Sequence, residues 1–365
     1  MMFTTLNNYI FRSISLGIAL AIMMFLTLDL LIGFIQQINA VGKGDFTIGS
    51  ALFYTMLTIP NRIFDNFPVS CVVGVMIGLG ALAASSELVI IQSIGISRLK
   101  MAVLTIVVLI IWLIPMSLMG EFVVPVAKLT AESFRHAKIN KDVGLGANSG
   151  IWIRDGNIIF NAKPIGGVYD APNKNIIMND VTVYELDDNL QVIKVSKAEK
   201  AIHKGKSWEM YKLEVTEFVE SGVNTRFLKE QIWPSRIEPE ILSIIDSRPK
   251  YLSIRDILKY KKFQKHKENI PIKYDIALWS KFSYPLLVIA TALTGLPFLF
   301  GLLRSGGFGQ RLLIGVVLGI VLYLVNRTLL NVGEVFHVHP IIVTTLPSTV
   351  ILFVVLLYLR LQKKK

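Results

Sequence analysis

The chain alternates between long apolar segments and one long polar insert. Each apolar segment is long enough to cross a bilayer, because a hydrocarbon core of ~30 Å takes about 20 helical residues. The six segments comprise residues 10–38, 50–84, 99–124, 279–303, 312–332 and 340–359. We therefore expect an α-helical membrane protein with six transmembrane helices, three on each side of the insert.

The insert has the alternation of apolar and polar residues that is typical of β-strands. It is clearest at 151–154, 158–161, 181–186 and 208–215, with turn residues between them. Several short strands at this spacing predict an all-β, jelly-roll-like domain between helices 3 and 4. A capped helix from Ser253 then leads back to the membrane. The predicted domains are 1–125, 126–277 and 278–365.

The distribution of Lys and Arg predicts the orientation. Cations near the ends of spans and in short loops mark the cytoplasmic side. With six spans, such cations collect on one side, at Arg12, Arg98, Lys100, Arg304, Arg311, Arg360 and 363–365. We therefore expect both termini to be cytoplasmic and the insert to be extracytoplasmic. The first segment lacks a small-residue cleavage pattern, which predicts a retained anchor.

The net charge of +12 does not indicate nucleic-acid binding. Residues 126–278 contain 25 Lys/Arg and 20 Asp/Glu, so most of the excess lies at span edges and tails. This is the charge pattern of a membrane protein. The single cysteine, Cys71, lies within the second segment and is read as a small buried apolar residue.

The connection at 85–97 is the sharpest local signal. It reads as a short amphipathic helix on the cytoplasmic side, with Ser85 or Ser86 near its N-cap and Glu87 in its first turn. Leu88 and Ile91 lie on one side, and Gly95 ends the helix. Such a helix suits docking into a groove of a soluble partner. An ordinary turn with a capped helix is the alternative, and the segment alone does not decide between them.

No catalytic set, metal site or nucleotide site is recognisable. Gly205, Lys206 and Ser207 resemble the end of a phosphate-binding loop, but the glycine required five residues earlier is Lys200. His337 and His339 have no third ligand nearby in sequence. We expect no cofactor in this chain, so any coupling to ATP requires a separate ATPase subunit.

Several stretches together resemble a known family, the lipopolysaccharide-export ABC transporter permeases LptF and LptG. They are SELVIIQSIG at 86–95, GEFVVP at 120–125, GIWIRDGN at 150–157, WSK at 279–281 with Pro285 and Leu286, FG at 300–301 and LRS at 303–305. The last three are closer to the G-type subunit. The resemblance covers the whole chain.

The resemblance implies a non-catalytic permease subunit in the inner membrane of a Gram-negative bacterium. Its partners would be an F-type permease, two copies of a cytoplasmic ATPase that binds ATP and Mg, and a single-span subunit of a periplasmic bridge. Together they would extract lipopolysaccharide from the outer leaflet and pass it through the periplasmic β-domain for outer-membrane assembly. The family resemblance also implies that the short helix at 85–97 couples to the ATPase, through contact of Glu87 with a basic residue.

Lipid A is anionic, so the outer rim of the cavity should offer cations. Arg135 matches a basic position of the family, and Arg62 lies close to another. Family members carry lysines at the outer end of the first span, whereas this chain has Gly33, Gln36, Asn39 and Ala40 there, with Lys43 the nearest cation. Our hypothesis is that Lys43, Arg62 and Arg327 take part of that role.

Two alternatives stay open for these cations. Asp65 lies at i+3 from Arg62, so that pair could be purely structural. Arg327 could simply snorkel to the interface.

One face of the fifth span carries a graded set of side chains. Val316, Ile320, Tyr323 and Arg327 recur at spacings of four, three and four, so they share a face that changes from apolar to charged. The resemblance implies that this face is a wall of the lipid cavity. Helix packing, with Tyr323 in the interfacial belt, explains the same pattern.

Three other classes of protein fit the pattern less well. A four-span scaffold or signalling protein would carry its insert after the first span. An intramembrane enzyme needs ionisable residues facing each other inside the bilayer, and those here lie near its outer edge. A secondary transporter built from inverted repeats should have similar halves, and these halves have no obvious likeness.

Overall fold

The computed structural model describes most of the chain. The described residues are 2–94, 96–139, 151–155, 157–162, 177–187, 191–204, 207–219, 222–233, 248–264, 271–300 and 308–361. They divide into two compact units, each discontinuous in sequence. The first unit comprises Met1–Ile35, Thr58–Ala127 and Pro271–Lys365, and the second comprises Gln36–Leu57 and Lys128–Ile270.

Six helices of the described chain are long and apolar enough to cross a membrane, which confirms the predicted number. The helices are α1 Met2–Ile38, α2 Ile48–Leu57, α3 Ile59–Ala84, α4 Glu87–Ser93, α5 Arg98–Leu118, α6 Val124–Ile139, α7 Ile254–Gln264, α8 Ile272–Leu293, α9 Gly295–Phe300, α10 Phe308–Val335 and α11 Pro340–Leu361. The third span runs through α5 and α6, and the fourth through α8 and α9. The chain is therefore a helical membrane protein.

The second apolar segment differs from the prediction. It was expected to be one helix from residue 50, but the structure divides it at Thr58 into the short helix α2 and the spanning helix α3. Pro60 lies in the first turn of α3. Proline is favourable there because the first N–H groups of a helix have no partner within it, but deeper in a helix it removes a hydrogen bond.

The third apolar segment contains a π-helical turn. Met119–Val123 forms this turn between α5 and α6. Single π-turns inside α-helices are rare and often lie at functional sites. This one lies in the GEFVVP stretch that the sequence analysis singled out.

Close backbone packing holds α1 against α3 in the first unit. A Cβ atom at Gly17 would lie 2.2 Å from the carbonyl oxygen of Gly74, so only glycine fits. Ser13 Oγ donates a hydrogen bond of 2.9 Å to the carbonyl oxygen of Gly78. Small residues at such crossings are typical of membrane helices. Ile14 and Ile18 on α1 are fully buried beside this contact.

The middle of the chain forms one six-stranded antiparallel sheet. The strands are β1 Ile151–Asp155, β2 Ile158–Ala162, β3 Ile177–Leu186, β4 Val192–Lys204, β5 Ser207–Val219 and β6 Gly222–Trp233. They are ordered as in the sequence, each paired with the next, so the described strands form a meander. The prediction of a β-domain between the third and fourth spans is confirmed.

One face of the sheet is buried, as the alternation of apolar residues requires. Phe160, Val183, Trp208, Met210 and Leu213 are at most 2% exposed. In register, Phe160 pairs with Val183, so adjacent strands contribute to the same apolar layer. The second unit thus has a core of its own.

The helix predicted from Ser253 is α7. Ser253 Oγ accepts a hydrogen bond of 3.1 Å from the backbone N–H of Asp256, and the Asp256 carboxylate accepts one of 2.6 Å from Ser253 Oγ. The same carboxylate accepts a bond of 3.3 Å from the Ser253 backbone N–H, so this reciprocal cap satisfies two N–H groups at the start of the helix.

Candidate functional site

The short helix α4 lies between the second and third spans, inside the predicted 85–97 segment. Its N-cap is Ser86, whose backbone is left-handed at φ 62° and whose side chain makes no capping hydrogen bond. Leu88 and Ile91 are buried in the core of the first unit, and Val89 and Ile90 are exposed. One side of α4 is therefore fixed to the protein, and the other side is an exposed apolar surface. The predicted end at Gly95 lies outside the described residues.

Glu87 starts α4 and has an unexpected partner on α1. Tyr9 Oη donates a hydrogen bond of 2.7 Å to Glu87 Oε2. Hydrogen bonds from Tyr9 and then Ser85 lower the pKa of Glu87 below its ordinary value, so this partly exposed carboxylate is ionised at neutral pH. It retains acceptor capacity for a second donor. Tyr9 lies 78 residues away, so sequence spacing could not indicate this contact.

Arg62 is paired across two helices. Its Nη1 lies 2.8 Å from Asp29 Oδ1 and donates a further bond of 2.7 Å to the backbone oxygen of Asp29 on α1. Its Nε donates to Thr58 Oγ1 at 3.0 Å, and Asn66 also donates to Asp29 at 3.1 Å. The alternative weighed from the sequence named Asp65, and the structure adds Asp29 as a carboxylate that binds Arg62.

Gly33 explains how Arg62 reaches α1. A Cβ atom at Gly33 would lie 2.0 Å from Arg62 Nη2, so the guanidinium occupies the space of the missing side chain. Gly33 is one of the positions where the family resemblance led us to expect lysines. A cation from α3 thus occupies the position that a side chain from α1 would fill.

Lys43 and Arg135 belong to the second unit, whereas Arg62 and Arg327 belong to the first. Arg135 Nε donates a hydrogen bond of 3.2 Å to Gln37 Oε1. Lys43 is exposed on a loop whose next residues contact the end of α6, where the Asp45 N–H donates to the backbone oxygen of Lys138 at 2.8 Å. The elements that carry Lys43 and Arg135 are therefore in contact.

The face predicted on the fifth span lies on α10. Gly315 and Gly319 pack against Met76 and Val69 of α3. The face formed by Val316, Ile320, Tyr323 and Arg327 lies beside this packed line and is partly or fully exposed. Tyr323 Oη accepts a hydrogen bond of 3.2 Å from Arg327 Nη1. Among the described residues, no carboxylate forms an ion pair with Arg327.

Two stretches that were noted separately in the sequence meet at the π-turn. Lys281 Nζ lies 2.9 Å from Glu121 Oε2 and 3.2 Å from the backbone oxygen of Gly120. The side chains are only 14% and 23% exposed. Lys281 therefore binds both the carboxylate and a backbone carbonyl of the π-turn. Both residues lie in stretches that carry the family resemblance, but their spacing in the sequence gives no reason to pair them.

Among the described residues, no group of three or more His, Cys, Asp or Glu could hold a metal ion. What the described chain does offer is an anionic helix start at α4, several cations and an exposed apolar face on α10. These are features of binding and coupling surfaces.

Comparison with known proteins identifies the family. Residues 8–361 match the family described as lipopolysaccharide export system permease LptF/LptG. This chain belongs to that family. It is 28% identical over 366 residues to the lipopolysaccharide export system permease protein LptG of Haemophilus influenzae (strain ATCC 51907 / DSM 11121 / KW20 / Rd), with 100% of both chains covered.

A second relative supports the same conclusion. The lipopolysaccharide export system permease protein LptG of Escherichia coli (strain K12) is 27% identical over 364 residues, covering 99% of each chain. The LptF/LptG chain described here is thus a multi-pass inner-membrane protein of a lipopolysaccharide export system. Its relatives are permease subunits, and the family implies a heterodimer of two permeases.

Proposed function

We propose that this chain is the G-type permease that extracts lipopolysaccharide from the outer leaflet of the inner membrane. Its termini lie in the cytoplasm, and its β-domain lies in the periplasm and passes the lipid to a bridge subunit. The observation that carries the proposal is the similarity to LptG along the full length, β-domain included. The excess of Lys and Arg at one set of span ends supports the orientation.

In this proposal α4 is the element that couples ATP hydrolysis to movement of the permease. The chain itself holds no cofactor, and ATP and Mg bind to two copies of a cytoplasmic ATPase beneath this chain and its F-type partner. Glu87 is ionised and partly exposed, and Val89 and Ile90 expose apolar surface beside it. A groove with a basic residue at one end and an apolar floor complements that surface.

The lipid is held by cations and an apolar wall. Val316, Ile320 and Tyr323 line the path of the acyl chains, and Arg327 meets a phosphate at the outer rim. Lys43 and Arg135 supply further positive charge. Arg62 contributes less free charge than the sequence suggested, because Asp29 neutralises much of it.

The test uses the complete transporter, made by co-expressing this chain with its partner permease, ATPase and bridge subunits in lipopolysaccharide-containing proteoliposomes. A photo-crosslinking amino acid at Ile320 should capture lipopolysaccharide, and capture should fall when ATP drives release. The matched control is Val350 on α11, which is exposed to a similar degree, 52% against 44%. Equal capture at both positions would contradict the assignment of the α10 face.

Charge substitutions test the two remaining parts. Glu87→Lys should abolish ATP-driven release and weaken recovery of the ATPase with the permeases, although the chain still inserts. Normal transport by Glu87→Lys would refute the role of α4.

Neutralising Lys43, Arg62 and Arg327 together should reduce lipopolysaccharide cross-linking, and unchanged cross-linking and release would defeat the cation hypothesis.

A further inference from the structure

The short helix α2 has its polar and apolar sides reversed relative to a helix of a soluble protein. Its buried side consists of Ser50, Ala51, Tyr54 and Thr55. Its outward side carries Ile48, Leu52 and Met56, which recur every four residues and are 64%, 49% and 54% exposed. A helix with this pattern needs an apolar medium on its outer side.

The polar side of α2 is satisfied within the second unit. Tyr54 Oη donates a hydrogen bond of 3.3 Å to Glu132 Oε1 on α6, and Thr55 Oγ1 donates one of 2.8 Å to the backbone oxygen of Ala51. Phe53 packs edge-on against Phe134 of α6 at 4.9 Å between ring centroids. These contacts fix the rotation of α2 about its axis, so the line from Ile48 to Met56 faces away from the protein of its own unit.

The covalent chain holds α2 at the membrane surface. Only Thr58 separates α2 from the spanning helix α3. The loop that joins α1 to α2 is folded on itself by hydrogen bonds such as Gly42 N–H to the backbone oxygen of Phe46 at 3.0 Å. Both ends of α2 are thus tethered to spans that reach the same surface of the bilayer.

The composition of α3 indicates which of its turns lie at the bilayer surface. The first two turns of α3 carry Asn61, Arg62, Asp65 and Asn66, and an apolar stretch then runs from Phe67 to Ala84. Those 18 residues of α3 cover about 27 Å, nearly the whole core. The polar turns therefore lie at headgroup depth, and α2 ends directly before α3 in the chain, at Leu57.

We propose that α2 is an interfacial helix that lies on the bilayer with Ile48, Leu52 and Met56 among the acyl chains of membrane phospholipid. The occupant follows from the covalent attachment of α2 to the spanning helix α3, because a single residue between them keeps α2 beside the bilayer. An interfacial helix buries one apolar face at the boundary between headgroups and acyl chains, and α2 presents such a face. This inference needs only that α1 and α3 span the bilayer, so it is independent of the proposed function.

The test measures the depth of α2 in the assembled transporter in phospholipid nanodiscs. The single cysteine is removed by Cys71→Ala, and Leu52→Cys carries an environment-sensitive fluorophore. Met56→Cys is a second reporter in case Leu52→Cys does not fold. Asn39→Cys, exposed in the preceding loop, and Lys229→Cys, exposed on β6, are the aqueous controls.

We expect blue-shifted emission at positions 52 and 56, with quenching by nitroxide-labelled phospholipid at least about threefold stronger than at position 39 and weaker quenching by iodide. Iodide quenching at 52 and 56 equal to that at 39 would overturn the proposal, because the face would then be in water. Protection from both quenchers would also overturn it, because a protein partner would then cover α2.

Discussion

Gly33 and Arg62 are best understood as one feature. In this chain glycine leaves space on α1 that a guanidinium from α3 fills, and Asp29, one helical turn earlier, binds that guanidinium. The side chain of a lysine at position 33 would occupy the space that the Arg62 guanidinium fills. The two side chains therefore exclude each other sterically. The glycine at position 33 is therefore coupled to the presence of Arg62, whereas this contact does not explain Gln36, Asn39 and Ala40.

Gly33→Ala should destabilise the chain by about 1–3 kcal/mol, because a Cβ atom there forces Arg62 out of its place. Alanine is otherwise favoured over glycine inside a helix by about 1 kcal/mol, so the sign of the effect is informative. The control is Gly49→Ala in α2, where the nearest atom to a Cβ would be Thr47 Oγ1 at 3.8 Å. Thermal unfolding in detergent measures both, and equal stability of the two variants would contradict the prediction.

Arg62→Ala alone should lower stability by about 1–3 kcal/mol, since it leaves the partly buried Asp29 carboxylate without its cation. Adding Asp29→Asn should restore most of the loss, and a double-mutant cycle gives the coupling energy. Lipopolysaccharide cross-linking in the double variant then reports the role of Arg62 in binding, free of the folding defect. Additive losses would show that the pair does not act as a unit.

At the scale of single elements, α4 depends on a distant residue for the state of its charge. Glu87 is held by Tyr9, so Tyr9→Phe removes the largest contribution to its lowered pKa. A carboxyl group with a lowered pKa contributes stability above its ordinary pKa and loses it as the pH falls through the lowered value. The hydrogen bond between Tyr9 and the ionised Glu87 carboxylate is therefore fully present at neutral pH.

Tyr9→Phe should leave transport at pH 7.5 nearly unchanged but shift acid-induced release of the ATPase to a higher pH. The reason is that Glu87 then protonates nearer to its ordinary pKa of 4.5. A pH series of ATPase co-purification measures the midpoint, with Tyr358→Phe on α11 as the control. An unchanged midpoint would show that Tyr9 does not set the charge of Glu87.

Helices and strands with a regular apolar pattern could be predicted from the sequence. Features that depend on one residue or one distant contact, such as a helix break, could not. Lengths of apolar runs and alternation gave the spans and several strands, because both signals are local. The break at Thr58 was missed because α2 is as apolar as a span, although Pro60 was a usable signal. The outward apolar side of α2 could not be recognised without Tyr54 and Glu132, which lie 78 residues apart.

At the scale of the whole molecule, the informative contacts join distant parts of the sequence. Asp29 with Arg62, Tyr9 with Glu87 and Glu121 with Lys281 are 33, 78 and 160 residues apart. The spacing of residues in the sequence identifies neighbours within one helix only. These three pairs therefore could not be predicted without the structure. The family could be recognised from the sequence because several short stretches resembled the same family. The roles of the individual site residues stay predictions.

Lys281→Ala should lower the amount of protein in the membrane several-fold, because the π-turn loses both its ion pair and its bond to the Gly120 carbonyl. Lys281→Ala with Glu121→Gln should recover part of the loss, since no partly buried carboxylate then lacks its cation. Quantitative immunoblotting of membranes measures both. Normal levels of Lys281→Ala would contradict a structural role for the pair.

The distance between Glu121 and Lys281 has a consequence for biosynthesis. At 5–20 residues per second, translation of the 160 intervening residues takes about 8–32 s. During that time the third span has been made and the β-domain is emerging, but Lys281, the partner of Glu121, has not yet been synthesised. A ribosome that stalls within the β-domain therefore leaves the first three spans without the cation that Glu121 contacts in the finished protein. Completion of α8 is thus the step that supplies this ion pair.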